Sequence, residues 1–261
     1  MLVHPLRAPA RTAGFVGLTG AFLVGFESER ALAVTDRQRD DVTYKWMQRY
    51  GVGLLALYGL DVTASGPFVS ASWGRYPARD ASGRGRLFVM NHRSMFDIFV
   101  NLAFFETNIV SRADLADWPV IGLAARRVGT LFVDRESRAS GAAVINTMCS
   151  AVERGRAVMT YPEGTTFAGD EVRRFRPGAF LAAQRTGAEV VPVGIVYEGA
   201  TEYLDEPFVK HFLRVSSTRK TRVGLAVGEP IVGPHADVDA LRDETHARVQ
   251  ALVHEARNSL A

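Results

Sequence analysis

The chain has 261 residues, of which 47% are hydrophobic and 23% charged. That is material for one large domain or two small ones, and it excludes disorder over any long stretch. The 31 basic residues exceed the 28 acidic ones by a net charge of +3, a balance compatible with an anionic partner: membrane surface, phosphorylated substrate or nucleic acid. Cys149 is the only cysteine, so no disulfide framework or CxxC metal site can form, which fits a reducing compartment.

In chain order, the first feature is an uncharged apolar run, Ala13 to Phe26, preceded by Arg7 and Arg11. It has the look of a signal-peptide core. However, it ends in Glu27-Ser28-Glu29-Arg30, and the small-x-small triplet Ala31-Leu32-Ala33 lies beyond those charges, so cleavage is not expected. The run is also shorter than the roughly 20 apolar residues a spanning helix needs. After a polar link, Thr35 to Thr43, a second apolar run from Val52 to Leu60 follows Lys45, Trp46, Arg49 and Tyr50. Basic and aromatic residues beside short apolar runs suit helices lying at the headgroup boundary of a membrane; the same pattern also describes two helices packed on a domain. A boundary is placed near Gly59 to Gly66. Residues 1–60 are expected to be an N-terminal apolar helical segment for membrane association, and residues 61–261 an α/β domain.

Beyond that boundary, short apolar runs alternate with longer amphipathic ones. Strands are predicted at Leu87–Met90, Asn108–Ser111, Leu131–Val133, Ala157–Tyr161, Val190–Val196 and Arg222–Val227. Most are near-continuous apolar runs, as in strands covered on both faces. Helices are predicted at Phe96–Glu106, Val120–Arg127, Ala139–Arg154, Gly178–Arg185 and Val238–Arg257. The alternation predicts an α/β fold with a largely parallel central sheet flanked by helices. "ASGRGR" (81–86) reads as a flexible surface loop, and Pro192 inside an apolar strand suggests an edge or a bulge, the competing reading being a core strand with a local kink.

Four stretches at strand ends could carry chemistry, since ligands of α/β sheets collect beyond the carboxyl ends of strands. In "NHRSMFD", His92 is a candidate general base and Asp97 a candidate orienting carboxylate. On one continuous helix a spacing of five sets side chains about 140° apart. The pair therefore works only if His92 lies in a turn and Asp97 in the first helical turn, with Ser94 as N-cap between them. The competing reading uses the same residues as a capping box, with Asp97 reaching back to the cap. In "GTLFVDR", a strand delivers Asp134 and Arg135, whose planar fork suits phosphate or a surface ion pair. In "TYPEGTTF", Glu163 can accept hydrogen bonds from hydroxyls and Gly164 allows close backbone approach. "VVPVGI" is the fourth.

In order and type these stretches resemble the glycerolipid acyltransferases, and in particular the bacterial 1-acylglycerol-3-phosphate acyltransferases, with their NHxxxxD, GxxFxDR, (F/Y)PEGT and valine-proline blocks. The resemblance runs from about Leu54 to Pro230. It implies acyl transfer from a thioester, acyl-CoA or acyl carrier protein, to the free hydroxyl of a membrane lipid acceptor. His92 would take the hydroxyl proton and Asp97 would orient the imidazole. Arg135 would hold the acceptor phosphate, and Glu163, Gly164 and Thr165 would position the glycerol part. Val191-Pro192 would help shape the acyl channel. No metal or organic cofactor is called for, because the thioester already carries the activation. The implied place is the cytoplasmic face of the cell membrane, peripheral or shallowly inserted. Thr166 stands where many phosphatidate-forming members carry arginine; Arg173, Arg174 or Arg176 could take over that role. Threonine there resembles relatives that acylate lyso-ornithine lipids and lysophospholipids.

Rival classes fit less of the chain. A serine esterase would need GxSxG, which does not occur. A metal hydrolase would need a second histidine at ligand spacing. A non-catalytic lipid-binding protein would explain the apolar amino terminus but not a His–Asp pair and an "EGT" turn both at strand ends. Basic residues are scattered without an aromatic-interleaved stripe, against nucleic acid as a partner.

Overall fold

The computed structural model describes His4 and residues 6–69, 74–118, 121–133 and 138–261. The strands are β1 (Leu60–Ser65), β2 (Leu87–Met90), β3 (Thr107–Arg112), β4 (Leu131–Val133), β5 (Ala157–Thr160), β6 (Val190–Tyr197) and β7 (Thr221–Val227). They form one sheet in the order β1-β7-β6-β2-β5-β3-β4. From β6 to β4 every pair is parallel. The β6–β7 pair is antiparallel, and β1 runs parallel to β7. The fold is therefore α/β with a mostly parallel central sheet.

The helices are α1 (Arg7–Arg30), α2 (Asp36–Tyr58), α3 (Phe96–Phe104), α4 (Ile121–Arg127), α5 (Arg138–Glu153), α6 (Gly178–Thr186), α7 (Phe208–Ser216) and α8 (Val238–Asn258). They cover both faces of the sheet. One apolar cluster joins Phe88, Met90, Val193 and Ile195 to Phe96 and Val100 of α3, Leu54 of α2 and Phe22 of α1. The other joins Leu87, Val89, Val190 and Val196 to Val152 of α5, Phe180 of α6 and Val253 of α8. Alternate residues of each strand enter opposite clusters, as the pleat requires. With both faces covered, β2, β5 and β6 are buried throughout, which is why they read as unbroken apolar runs.

The amino-terminal helices pack directly on the sheet domain. Gly51 of α2 makes this possible: a Cβ there would lie 2.5 Å from the backbone nitrogen of Ala103 in α3. Arg11 ties α1 down. Its guanidinium donates to the carbonyls of Leu57 (2.9 Å), Ser216 (3.1 Å) and Thr218 (2.5 Å), where α2 and α7 end. A cation against two sets of unpaired terminal carbonyls is favourable.

Several expectations need correcting. Thr35 to Thr43 is not a link. Thr35 caps α2 in a complete capping box with Gln38, and the helix runs from there through its buried face Tyr44, Met47, Tyr50, Leu54, Leu55 and Tyr58. Leu60–Ser65, placed at the boundary, is edge strand β1, half exposed along its length. Helix α7 was not predicted, although Phe208, His211, Phe212 and Val215 recur at helical spacing after Pro207. The loop at 81–86, by contrast, is a surface loop as expected, exposed at 81–84 and closed by Asp80 Oδ1, which accepts from the backbone of Ser82 (2.8 Å) and Arg84 (3.0 Å). Pro192 lies in central strand β6, not at an edge or bulge. Its carbonyl accepts from Gly228 N (2.9 Å), so its nitrogen faces the β7 side, just past the last ladder pair Val193–Val227. The missing N–H forfeits only the return bond to Gly228, at the very end of the β7 pairing.

Candidate active site

Strand β2 ends at Met90, and Asn91 carries the pairing one step further. Its side chain donates to Ile195 O (2.9 Å) and accepts from Ile195 N (2.8 Å). The chain then leaves the sheet, so His92 stands beyond the carboxyl edge and α3 begins at Phe96. Asp97 in the first turn of α3 points back. Its Oδ2 accepts from His92 Nδ1 (2.6 Å), Arg93 N (2.7 Å) and Ser94 N (3.1 Å). The carboxylate thus reaches back to the turn, as the capping reading expects, and to the imidazole, as the catalytic reading expects, without capping the helix itself. With Nδ1 facing Asp97, the proton sits on Nδ1 and the Nε2 lone pair is available as a base. His92 keeps 16% of its side chain exposed while Asp97 has none. Ser94 is not the cap. Position N-cap is Met95, without a side-chain bond, and the Ser94 hydroxyl donates to Thr201 O instead (2.8 Å).

The second stretch comes from the neighbouring strand. After β5 the chain turns through Tyr161-Pro162-Glu163-Gly164, with Gly164 at φ 81°. The Tyr161 ring lies against the His92 ring, centroids 4.4 Å apart. Glu163 does not offer its carboxylate to incoming hydroxyls, as had been expected. It is buried, and it accepts from His92 N (2.7 Å), Arg93 Nη1 (2.9 Å) and Arg173 N (2.8 Å). Three donors from the surrounding loops already claim the group, because the His92 turn and the segment at Arg173 both pass over it. Arg93, whose role sequence reasoning missed, is its ion partner, with 1% of its side chain exposed. Arg93 also donates to Gly169 O (2.6 Å) and Glu171 O (2.9 Å), tying both motif turns to the loop that follows.

Thr165 is exposed, as are Arg173, Arg174 and Arg176. The Arg176 guanidinium lies across Gly164: a Cβ there would sit 2.4 Å from its Nε. These arginines make a basic rim beside the Glu163-Gly164 turn. Asp134 and Arg135 lie outside the described residues; β4, which precedes them, ends on the same edge of the sheet as β2 and β5. Among the described residues no group of three His, Cys, Asp or Glu side chains is placed to hold a metal ion.

Two further buried groups surround the pair. Tyr197 OH donates to Asp97 Oδ1 (2.7 Å). Burial, with the charge of Asp97, pushes the hydroxyls of Tyr161 and Tyr197 well above the usual tyrosine range. His211 of α7 is fully buried, and its Nε2 accepts from Met95 N (3.4 Å). Burial, with the Arg214 cation beside it, pushes His211 down to about 4. The arrangement as a whole can take a proton from a hydroxyl presented to Nε2 of His92 and hold the resulting positive charge against Asp97.

A family model described as Acyltransferase matches residues 75–196, the span that contains all four motif stretches. Over these residues the chain matches the acyltransferase family. A 1-acyl-sn-glycerol-3-phosphate acyltransferase of Neisseria gonorrhoeae is 27% identical over 177 residues, which are 65% of this chain and 69% of that one. A lyso-ornithine lipid O-acyltransferase of Pseudomonas aeruginosa is 31% identical over 160 residues, 58% of this chain and 61% of that one. In fold, the chain is similar to the crystal structure of the 1-acyl-sn-glycerophosphate (LPA) acyltransferase PlsC of Thermotoga maritima. The TM-score is 0.68 at 21% identity, over 95% of this chain and 98% of the other.

Proposed function

We propose that this acyltransferase moves a fatty acyl group from acyl-CoA or acyl carrier protein to the free hydroxyl of 1-acylglycerol-3-phosphate, giving phosphatidic acid. The observation that carries the reading is the 2.6 Å contact of His92 Nδ1 with the buried carboxylate of Asp97, which leaves Nε2 as a base at the carboxyl edge of the sheet. His92 Nε2 takes the acceptor's hydroxyl proton as that oxygen attacks the thioester carbonyl. The new C–O bond forms, the C–S bond breaks, and the proton passes to the departing sulfur. Asp97 stabilises the transient imidazolium. General-base assistance of this kind is worth roughly 10²–10⁴-fold. Glu163 acts through the backbone N–H of His92, and Thr165 with Gly164 borders the acceptor. Arg135 and the exposed arginines of the rim hold the phosphate. The activation comes with the thioester, so the step calls for no metal or organic cofactor.

A membrane acceptor calls for a membrane-facing surface, and α1 supplies one. Val16 and Val24 on its outer side are 49% and 70% exposed, with Leu6 before it and Leu32 after it more exposed still. No helix among the described residues is long and apolar enough to cross a membrane. These observations support peripheral or shallow association, on the cytoplasmic face where thioester donors are found.

A second acceptor has its own support: 31% identity to the lyso-ornithine lipid acyltransferase of Pseudomonas and a threonine at position 166. A panel of lysophosphatidic acid, lyso-ornithine lipid, lysophospholipid and glycerol 3-phosphate, each with acyl-CoA and acyl carrier protein donors, separates the two. Phosphatidic acid is the expected main product, and preferential use of lyso-ornithine lipid would transfer the assignment. His92→Ala is expected to abolish transfer with an unchanged circular dichroism spectrum; near wild-type transfer by that variant would refute the mechanism.

A further inference from the structure

We infer that Tyr197 is a positioning residue for acyl transfer, forming with Asp97 and His92 a Tyr–Asp–His chain that sets the basicity of the imidazole. The inference rests on the roles of His92 and Asp97 proposed above. Tyr197 is the last residue of β6, 100 positions from Asp97. Strand β2 stops at Met90, opposite Val193, whereas β6 continues four residues further. Tyr197 therefore rises beyond the end of β2, on the face covered by α3, at the level where the His92 turn crosses. Its ring is 2% exposed, and its hydroxyl donates to Asp97 Oδ1 at 2.7 Å. Oδ2 is thereby left for His92 Nδ1 and the backbone N–H groups of Arg93 and Ser94.

The placement has two consequences. The carboxylate cannot rotate, because each oxygen is claimed by donors from a different element. In addition, the tyrosine proton draws negative charge from Asp97 and so moderates its pull on the His92 proton. The other ionisable groups facing this pair are Arg93 and Glu163 beneath the turn, Tyr161 against the ring, and His211 and Glu202 from the α7 side. Among the described residues Tyr161 OH has no hydrogen-bond partner, so it does not duplicate the Tyr197 bond.

The test is Tyr197→Phe, which keeps the ring and deletes the donor. Without that donor the carboxylate attracts the imidazolium more strongly. The acid limb of the kcat/KM profile should then move to higher pH by roughly half to one unit, with plateau kcat down about 3–30-fold. The His92 ring resonance should titrate at the same raised pH in isotope-labelled protein, a readout that loss of stability alone would not move. In an Asp97→Asn background, adding Tyr197→Phe should change residual activity less than twofold, since both act on one group. A folded Tyr197→Phe enzyme whose acid limb and His92 titration stay in place would overturn the inference while leaving His92 as the base. Full activity of His92→Ala would instead refute the underlying reading.

Discussion

Arg93 and Glu163 lie 70 positions apart in sequence and 2.9 Å apart in space, with 1% and 0% of their side chains exposed. Neither charge meets solvent, so each depends on the other and on the backbone groups around it. Removing one partner of such a pair leaves an uncompensated buried charge. Glu163→Gln is expected to destabilise the fold by about 3–5 kcal/mol, read by urea denaturation at pH 7. Because Glu163 also holds the His92 N–H, kcat should fall up to about 100-fold as the base is displaced. A variant of unchanged stability would show that the pair is not what joins the two motif turns.

Arg11 gives a second prediction. Its guanidinium is the link from α1 to the carbonyl ends of α2 and α7. Arg11→Met should cost roughly 2–3 kcal/mol, the worth of losing charged hydrogen bonds. The loss should be local: amide hydrogens of α1 should exchange at least about tenfold faster. Amides of β2, β5 and β6 should keep their protection. Uniform acceleration across the sheet would contradict this.

His211 makes stability depend on pH. Its folded-state value, pushed down to about 4, lies below the ordinary value of about 6.5. Between these limits the unfolded chain takes up a proton that the folded protein does not. The contribution is therefore complete above about pH 6.5 and is lost as pH falls toward 4, by roughly 3 kcal/mol. Urea midpoints measured at pH 7 and pH 5 should differ more for wild type than for His211→Gln. Equal slopes for both proteins would remove His211 as the cause.

The outer side of α1 can be tested without touching the site. Val16→Asp combined with Val24→Asp places two charges where the helix is exposed. Sedimentation with vesicles containing anionic lipid should show at least about tenfold weaker binding. Transfer to a short-chain, monomeric lyso-lipid should stay within twofold of wild type. Unaltered vesicle binding would place the membrane contact elsewhere.

The local part of the architecture was open to reading. β2 has the predicted limits, Leu87–Met90, because a strand buried on both faces must be a continuous apolar run; edge strand β4 also has its predicted limits, Leu131–Val133, because its three residues are all apolar. β1 escaped because an edge strand alternates with Asp61, Thr63 and Ser65, which resembles a loop. The His92–Asp97 pair was legible for the same local reason: five residues spanning a strand end and a helix start can meet only across that bend.

What the sequence determined by itself was therefore the βα alternation, the position of His92 at a strand end and the order of the four motif stretches. All of these depend on neighbours within a few residues. Tertiary structure alone decided the inward turn of Glu163, the burial of Arg93 and the reach of Tyr197 to Asp97. Those contacts span 70 to 100 residues. They exist because β5 and β6 are the two strands that flank β2, a fact of pairing that no periodicity records. The hold on Asp97 is divided in the same way: Oδ2 meets His92 and the backbone of the turn locally, while Oδ1 is held by a strand on the far side of the sequence.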